Sequence, residues 1–110
     1  MINAQERAKL RSFGSMLKDL VFIGKDGLTD NVIAQINDNL FAHELIKVKV
    51  QKNTPEDIKV LSANICKSCN CEVVSVIGSK ILLYKVTDKP KFQHILYKYF
   101  NSLVLLKLSK

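Results

Sequence analysis

The sequence predicts an α/β domain in which helices pack on a small mixed sheet. Helical and strand periodicities alternate along the chain in the order α-β-α-β-α-β-β. Two strands joined through a helix are typical of a parallel pair, and a closing hairpin adds an antiparallel strand. The 110 residues, 47% hydrophobic and 25% charged, suit a single globular domain and not a disordered protein.

A capping box predicts that the first helix begins near the start of the chain. Asn3 is followed three residues later by Glu6, so each side chain can bond the other's backbone N–H. An apolar stripe at helical spacing follows, made of Leu10, Phe13, Gly14 and Leu17. Three basic residues are expected along one flank of this helix, at steps of four and seven: Arg7, Arg11 and Lys18.

A buried strand, a glycine loop and a second helix come next. Leu20–Ile23 is a short apolar run of β-forming residues that ends at Gly24, which is typical of a buried strand. The loop Gly24–Gly27 then leads to Thr29, a favourable N-cap residue. The apolar stripe of the second helix is Val32, Ile33, Ile36 and Leu40.

From Glu44 to Val50 the hydrophobic period changes to two, which predicts a second strand. Lys47 and Lys49 share one side of this strand and make that side basic. Thr54, followed by a proline and two carboxylates, predicts the start of a third helix. Its apolar stripe is Ile58, Leu61, Ile65, Cys66 and Cys69.

The third helix is expected to end at Asn70, a residue that tolerates the left-handed conformation of a helix C-terminus. Two β-rich runs, Glu72–Ile77 and Lys80–Val86, then flank Gly78-Ser79. Such a pair between two strands is typical of a two-residue hairpin turn. The last two strands are therefore expected to be antiparallel neighbours.

Residues 89–110 form a C-terminal segment beyond a domain of residues 1–88. Helical spacing predicts an amphipathic helix, although the run Leu103–Leu108 is short enough to be a strand instead. The apolar positions of the helix are Phe92, Ile95, Leu96, Tyr99, Phe100 and Leu103. They either cover the open face of this domain's own sheet or, through residues 90–108, dock on a protein partner or a second copy.

The charge balance indicates an anionic partner. Seventeen Lys and Arg stand against ten Asp and Glu, which gives a net charge of +7 and a pI near 9.4. Nucleic acid is the commonest partner of such a chain, and an acidic membrane surface is the next. No apolar run is long enough to span a bilayer, and the polar N-terminus lacks the apolar core of a secretion signal.

The glycine loop is the strongest candidate for a binding site. A G-x-x-G between a strand and a helix lets backbone N–H groups approach a phosphate closely, although the same pattern also occurs as a tight turn without a ligand. The candidate phosphate-binding residues of the loop and the following helical turn are Gly24, Lys25, Asp26, Gly27, Thr29 and Asn31. The candidates for flanking backbone contacts are Arg7, Arg11, Lys18, Lys47 and Lys49.

Neither a metal site nor a catalytic site is predicted. Cys66, Cys69 and Cys71 lie within six residues, but a structural zinc site needs four ligands, usually as two separated pairs. His43 and Glu44 are adjacent and point in different directions, so they make a poor acid–base pair. We expect a non-enzyme without cofactors. The odd cysteine count favours a reducing, cytoplasmic compartment.

Three separated motifs resemble the YhbY-like RNA-binding family, also called the CRM domain. Val21–Thr29 reads VFIGKDGLT, similar to the family's IGKxGLT signature, and His43–Val48 reads HELIKV, like its second strand. Val76–Gly78 with Leu83–Lys85 resembles the family's closing hairpin. The resemblance covers about residues 3–86 in register, and its three motifs occur in the family's order.

The resemblance implies a two-layer α/β domain with strand order 1-2-4-3, similar to the C-terminal domain of bacterial translation initiation factor three. It also implies that the glycine loop contacts RNA. Stand-alone bacterial members of the family are associated with the precursor of the large ribosomal subunit. The sequence departs from the family pattern at Asp26, where many members carry a small or neutral residue, and at Lys85, which replaces an arginine.

We therefore expect an RNA-binding factor that acts on ribosomal RNA during assembly of the large subunit, with neither DNA nor a membrane as partner. Most of its affinity is expected to be electrostatic and sensitive to salt. The alternative is a protein-interaction module that works through the C-terminal segment.

Overall fold

The computed structural model describes residues 2–96, which form three helices and one four-stranded sheet. The elements are α1 (Ala4–Gly14), β1 (Asp19–Ile23), α2 (Asp30–His43), β2 (Leu45–Val50), α3 (Ile58–Cys69), β3 (Glu72–Ile77) and β4 (Lys80–Tyr84). The sheet order is β1-β2-β4-β3, with β1 parallel to β2 and the other two pairs antiparallel. The predicted α/β class, element order and strand order are confirmed.

The larger core lies between the sheet and the helix pair α2 and α3. Alternate residues of β2 point into it, namely Ile46, Val48 and Val50. The buried helical side chains that meet them are Ile36, Leu40, Leu61, Ile65 and Cys69. Because a large apolar side chain contributes about 1.5–3 kcal/mol on full burial, this layer is the main source of stability.

Helix α1 packs on the opposite face of the sheet over a smaller core. The buried members of this core are Leu10, Leu45, Val74, Leu82 and Tyr84. A Cβ on Gly14 would lie 2.5 Å from Cδ2 of Leu82, so the missing side chain lets the helix approach the sheet closely. Ile95 and Leu96 pack against the same core. The rest of this face, beside β1, is not covered by α1.

Helix α1 is shorter than predicted. It ends at Gly14, so the prediction that Leu17 and Lys18 continue its apolar stripe and basic flank is wrong. The Leu17 N–H bonds the Gly14 carbonyl at 3.1 Å, an i to i+3 turn that tightens the chain before β1 begins.

The start of α3 also differs from the prediction. Its N-cap is Asp57, whose carboxylate accepts the Lys59 N–H at 3.1 Å, and not Thr54. The Thr54 hydroxyl donates to the Ile23 carbonyl at 2.9 Å. This tertiary hydrogen bond occupies the hydroxyl that was expected to cap the helix. The helix accordingly begins at Ile58.

Three other predicted helix signals are confirmed, whereas the prediction of a fully buried strand at Leu20–Ile23 is wrong, because Leu20 and Phe22 are exposed on an edge strand. Asn3 and Glu6 form a reciprocal capping box, with bonds of 2.8 and 2.9 Å. The Thr29 hydroxyl accepts the Val32 N–H at 3.2 Å as N-cap of α2. Asn70 ends α3 in the left-handed conformation, at φ 51°.

A fully buried carboxylate ties the chain after β4 to the start of β2. Glu44 is 0% exposed, and its φ of 66° makes β2 begin one residue later than predicted. Its Oε1 accepts the Ile95 N–H at 3.0 Å, and its Oε2 accepts the Thr87 N–H at 3.0 Å. Nδ1 of His94 also meets Oε2. Since a buried carboxylate is costly without such partners, Glu44 holds residues 87–95 on the domain.

The C-terminal segment is described only to residue 96. The predicted helix over Phe92–Leu103 and the docking segment 90–108 therefore lie largely outside the described residues. Within the described part, Ile95 and Leu96 cover this domain's own core. None of the helices in residues 2–96 combines the length and hydropathy that crossing a bilayer requires.

The three cysteines are free thiols at the end of α3 and the start of β3. Cys69 and Cys71 are buried, and Sγ of Cys66 donates to the Cys71 carbonyl at 2.8 Å. Burial raises the pKa of the Cys69 thiol and raises that of Cys71 to about 12. Residues 2–96 contain no group of three or more His, Cys, Asp or Glu side chains placed to hold a metal ion.

The hydrogen bonds that the Glu44 carboxylate accepts predict that a near-isosteric substitution of this residue lowers stability. Glu44→Gln places an NH₂ group against N–H donors that now bond the carboxylate, so the free energy of unfolding should fall by about 1–3 kcal/mol. Asp38→Asn makes the same chemical change on the exposed side of α2 and should alter it by less than about 0.5 kcal/mol. Urea unfolding followed by circular dichroism measures both, and equal losses would contradict the anchor.

A buried thiol and a buried phenol predict that the stability of the fold decreases at alkaline pH. Burial raises the pKa of Cys71 from 9.0 to about 12 and, with smaller contributions from nearby carboxylates, that of Tyr84 from 10.0 to about 12. Because the unfolded chain loses these protons at lower pH, the stabilisation is complete below pH 9 and is lost as pH rises towards 12. Urea midpoints across this range should decrease, and Tyr84→Phe should flatten the decrease above pH 10. A midpoint unchanged to pH 12 would show that these groups titrate normally.

Candidate nucleic-acid interface

The parallel pairing of β1 and β2 places the glycine loop beside the residues that follow β2. The Gln51 N–H donates to the Ile23 carbonyl at 2.8 Å, which continues the ladder one residue past the end of β2. Within the loop the Gly27 N–H bonds the Gly24 carbonyl at 3.0 Å, and Gly27 has a φ of 67° that favours glycine. The carboxyl ends of parallel strands are where open α/β sheets bind ligands.

A groove of about 580 Å³ lies at this end of the sheet; we call it the loop groove. All six predicted residues of the loop and the following turn line it: Gly24, Lys25, Asp26, Gly27, Thr29 and Asn31. A Cβ on Gly24 would lie 2.9 Å from Oε1 of Gln51, so the backbone here is in close contact with the chain after β2. Lys25 and Asp26 are both exposed, which leaves the loop tip without net charge.

A second groove, of about 150 Å³, lies on the α1 face of the sheet. We call it the basic groove because Arg11, Lys47 and Lys80 line it. Arg11 comes from α1, and the two lysines come from adjacent strands. Nζ of Lys80 lies 3.3 Å from Oδ2 of Asp19, so one of the three cations is already paired.

Lys49 lies on the sheet between the two grooves. In the strand register it is opposite Phe22 on β1 and Lys80 on β4. Phe22 lines the loop groove and Lys80 lines the basic groove. Nζ of Lys49 donates to Oγ of Ser79 at 2.5 Å, and its side chain is half-buried. The two grooves are therefore linked by one row of residues across the sheet.

Besides Lys49, which lies between the grooves, two predicted residues are separate from both. Nη1 of Arg7 donates to the carbonyls of Val73 and Val74 at 2.6 and 2.9 Å, which joins α1 to β3. Lys18 lines a separate, mainly apolar groove of about 530 Å³ with Leu17 and Leu20. The candidate residues thus divide among the loop groove, the basic groove and two other places, instead of forming one continuous patch.

The loop groove also contains residues that the sequence analysis did not select. Phe22, Gln35, Gln51 and Asn53 line it. Gln51 and Asn53 follow the strand that pairs in parallel with β1, so the rule that sites form at the carboxyl ends of parallel strands could have indicated them. Lys80 of the basic groove was missed because its position depends on the pairing of β4 with β2.

The comparison with known proteins identifies the family. The sequence profile of the CRS1 / YhbY (CRM) domain matches residues 2–85. The chain is 36% identical over 91 residues to the probable RNA-binding protein YqeI of Bacillus subtilis, covering 83% of this chain and 95% of that protein. It is 30% identical over 89 residues to a probable RNA-binding protein of Pseudomonas aeruginosa, covering 81% and 86%.

A solved structure agrees in fold. The solution structure of a Staphylococcus aureus protein, described as an RNA-binding candidate, matches with a TM-score of 0.71 and 36% identity. The match covers 83% of this chain and 95% of the Staphylococcus aureus protein. With the family's motifs placed on the predicted strands and loop, the chain belongs to the CRS1/YhbY (CRM) domain family.

Proposed function

We propose that this chain binds ribosomal RNA in the precursor of the large ribosomal subunit and acts in the assembly of that subunit. The observation that carries the proposal is the row Phe22–Lys49–Lys80, which joins the glycine-loop groove to a basic groove on the open sheet face. Relatives named as RNA-binding proteins support the nucleic-acid part of the proposal.

The two grooves suit phosphates at different positions along the RNA. In the loop groove, we expect a phosphate to approach the glycine loop and the positive N-terminus of α2, with Lys25 nearby. In the basic groove, Arg11 can bind a phosphate with two parallel hydrogen bonds, and Lys47 adds a point charge. The net charge of +7 makes the association strongly dependent on salt.

The protein acts by binding and not by catalysis in this proposal. His43 and Glu44 do not act as an acid–base pair, because the Glu44 carboxylate is buried and accepts hydrogen bonds from residues after β4. The three free thiols fit a reducing compartment, so we place the activity in the cytoplasm.

Protein interaction through residues 90–108 is the second candidate function. The described apolar residues of this segment, Ile95 and Leu96, pack on the domain's own core. A partner is not needed to explain their burial, so the structure favours the RNA-binding proposal over this one.

Charge reversal at the loop predicts loss of ribosomal association. In cell extract on sucrose gradients at low salt, the wild-type chain should comigrate with large-subunit particles, and high salt should release it. Lys25→Glu should shift the chain to the top of the gradient. Lys67→Glu makes the same charge change on an exposed residue of α3 that lines neither groove, and should behave as wild type.

The gradients separate the function from the site. If Lys25→Glu comigrates as well as Lys67→Glu, the loop is not the contact, although the association stands. If the wild-type chain stays at the top at low salt, the ribosomal proposal is wrong.

The two arginines are predicted to have different roles. Arg7→Ala removes donors that bond two strand carbonyls and should lower the free energy of unfolding by about 1–3 kcal/mol. Arg11→Ala removes an exposed cation of the basic groove, so it should leave stability unchanged. It should also weaken RNA binding and reduce the slope of log K against log salt by about one. Filter binding over a salt series with urea unfolding tests both, and the reverse assignment would contradict the structure.

A further inference from the structure

The loop groove combines one exposed aromatic ring with a group of side-chain amides. Phe22, the fourth residue of the five-residue strand β1, is 53% exposed although it lies on a sheet face. Its exposure has a structural cause. β1 is an edge strand, and α1 ends at Gly14 before it can cover this part of the sheet. The exposed ring leaves a flat apolar surface in contact with water at the groove, available to a stacking partner.

Four amide side chains line the same groove, each of them exposed: Asn31, Gln35, Gln51 and Asn53. Within residues 2–96, none of these four amide groups forms a hydrogen bond to another part of the chain. Asn and Gln carry both a donor and an acceptor, which matches the edges of nucleobases. The groove is therefore richer in groups that pair with bases than in groups that only attract phosphates.

From this arrangement we infer that the loop groove binds an unpaired nucleotide of the RNA, with its base stacked on the ring of Phe22 and its edge facing the amides. The inference rests on the proposed RNA-binding function and adds the class of RNA: a single-stranded segment, loop or bulge. Lys49 is opposite Phe22 in the strand register, and its Nζ bonds Oγ of Ser79, so the adjoining phosphate would meet a cation on the neighbouring strand. Stacking requires a base outside a duplex, because paired bases already stack on their neighbours.

The preferred type of RNA distinguishes a stacking site in the loop groove from a purely electrostatic surface. A surface that only attracts phosphates prefers duplex RNA, since the charge density of a duplex is greater than that of a single strand. A stacking site prefers the single strand, and its affinity depends on the ring. The charge of the protein is the same in both cases, so RNA type and the Phe22 side chain are the informative variables.

The test measures binding of the full chain by fluorescence anisotropy at one fixed salt concentration. The probes are a mixed-sequence single-stranded RNA of about twelve nucleotides and the duplex that it forms with its complement. The variants are Phe22→Leu, which keeps an apolar strand residue but removes the ring, and Phe22→Tyr, which keeps the ring. Phe41→Leu is the matched control, because Phe41 is 48% exposed on α2 and does not line the loop groove. Circular dichroism verifies that each variant is folded.

The expected result is that the wild-type chain binds the single strand more tightly than the duplex. Phe22→Leu should lose about tenfold in affinity for the single strand and little for the duplex, whereas Phe22→Tyr and Phe41→Leu should bind as wild type. Equal binding of both RNAs together with an unaffected Phe22→Leu overturns the stacking inference and leaves RNA binding intact. No binding of either RNA by the wild-type chain overturns the proposed function and this inference with it.

Discussion

The parallel pairing of β1 with β2 is the constraint on which the site depends. It aligns the carboxyl ends of two strands that are separated by a complete helix, and the bond from the Gln51 N–H to the carbonyl of Ile23, the last residue of β1, extends their pairing past the end of β2. The Thr54 hydroxyl bonds the same carbonyl. The glycine loop and the chain after β2 are thereby held against each other as two sides of one groove. An antiparallel pair would place these two connections at opposite ends of the sheet.

Successive side chains of the central strand β2 point to opposite faces of the sheet, one facing the larger core and the other facing the side with the basic groove. Ile46, Val48 and Val50 face α2 and α3, whereas Leu45, Lys47 and Lys49 face the side on which α1 lies. Because α1 is short and Gly14 seats it close to Leu82, the helix covers only part of that side. The remaining surface keeps lysines and Phe22 accessible beside the glycine loop. A longer first helix would have covered the same surface and removed the proposed binding face.

Polar groups with similar sequence context have different uses in the folded chain. Arg7 and Arg11 are one helical turn apart, yet Arg7 bonds strand carbonyls and Arg11 lies in an exposed groove. Glu44 is a charged residue next to an exposed histidine in sequence, but it is fully buried and holds the chain after β4. In each case the decisive partner is a backbone group far along the chain, which local spacing does not specify.

The local features of this protein were determined by its sequence alone. Capping at Asn3 and Thr29, the period-two pattern of β2 and the Gly78-Ser79 turn act within a few residues, so composition and spacing predict them. The loop residues Gly24 to Asn31 were also predictable, because they follow a strand and begin a helix. The tertiary structure decided what depends on contacts between distant segments: the cap at Asp57 in place of Thr54, the separation of Arg7 and Lys18 from the loop groove and the basic groove, and the exposure of Phe22. The physical reason is that a side chain's role depends on the groups that lie next to it in the folded chain. The packing of α1 and the strand register determine those neighbours.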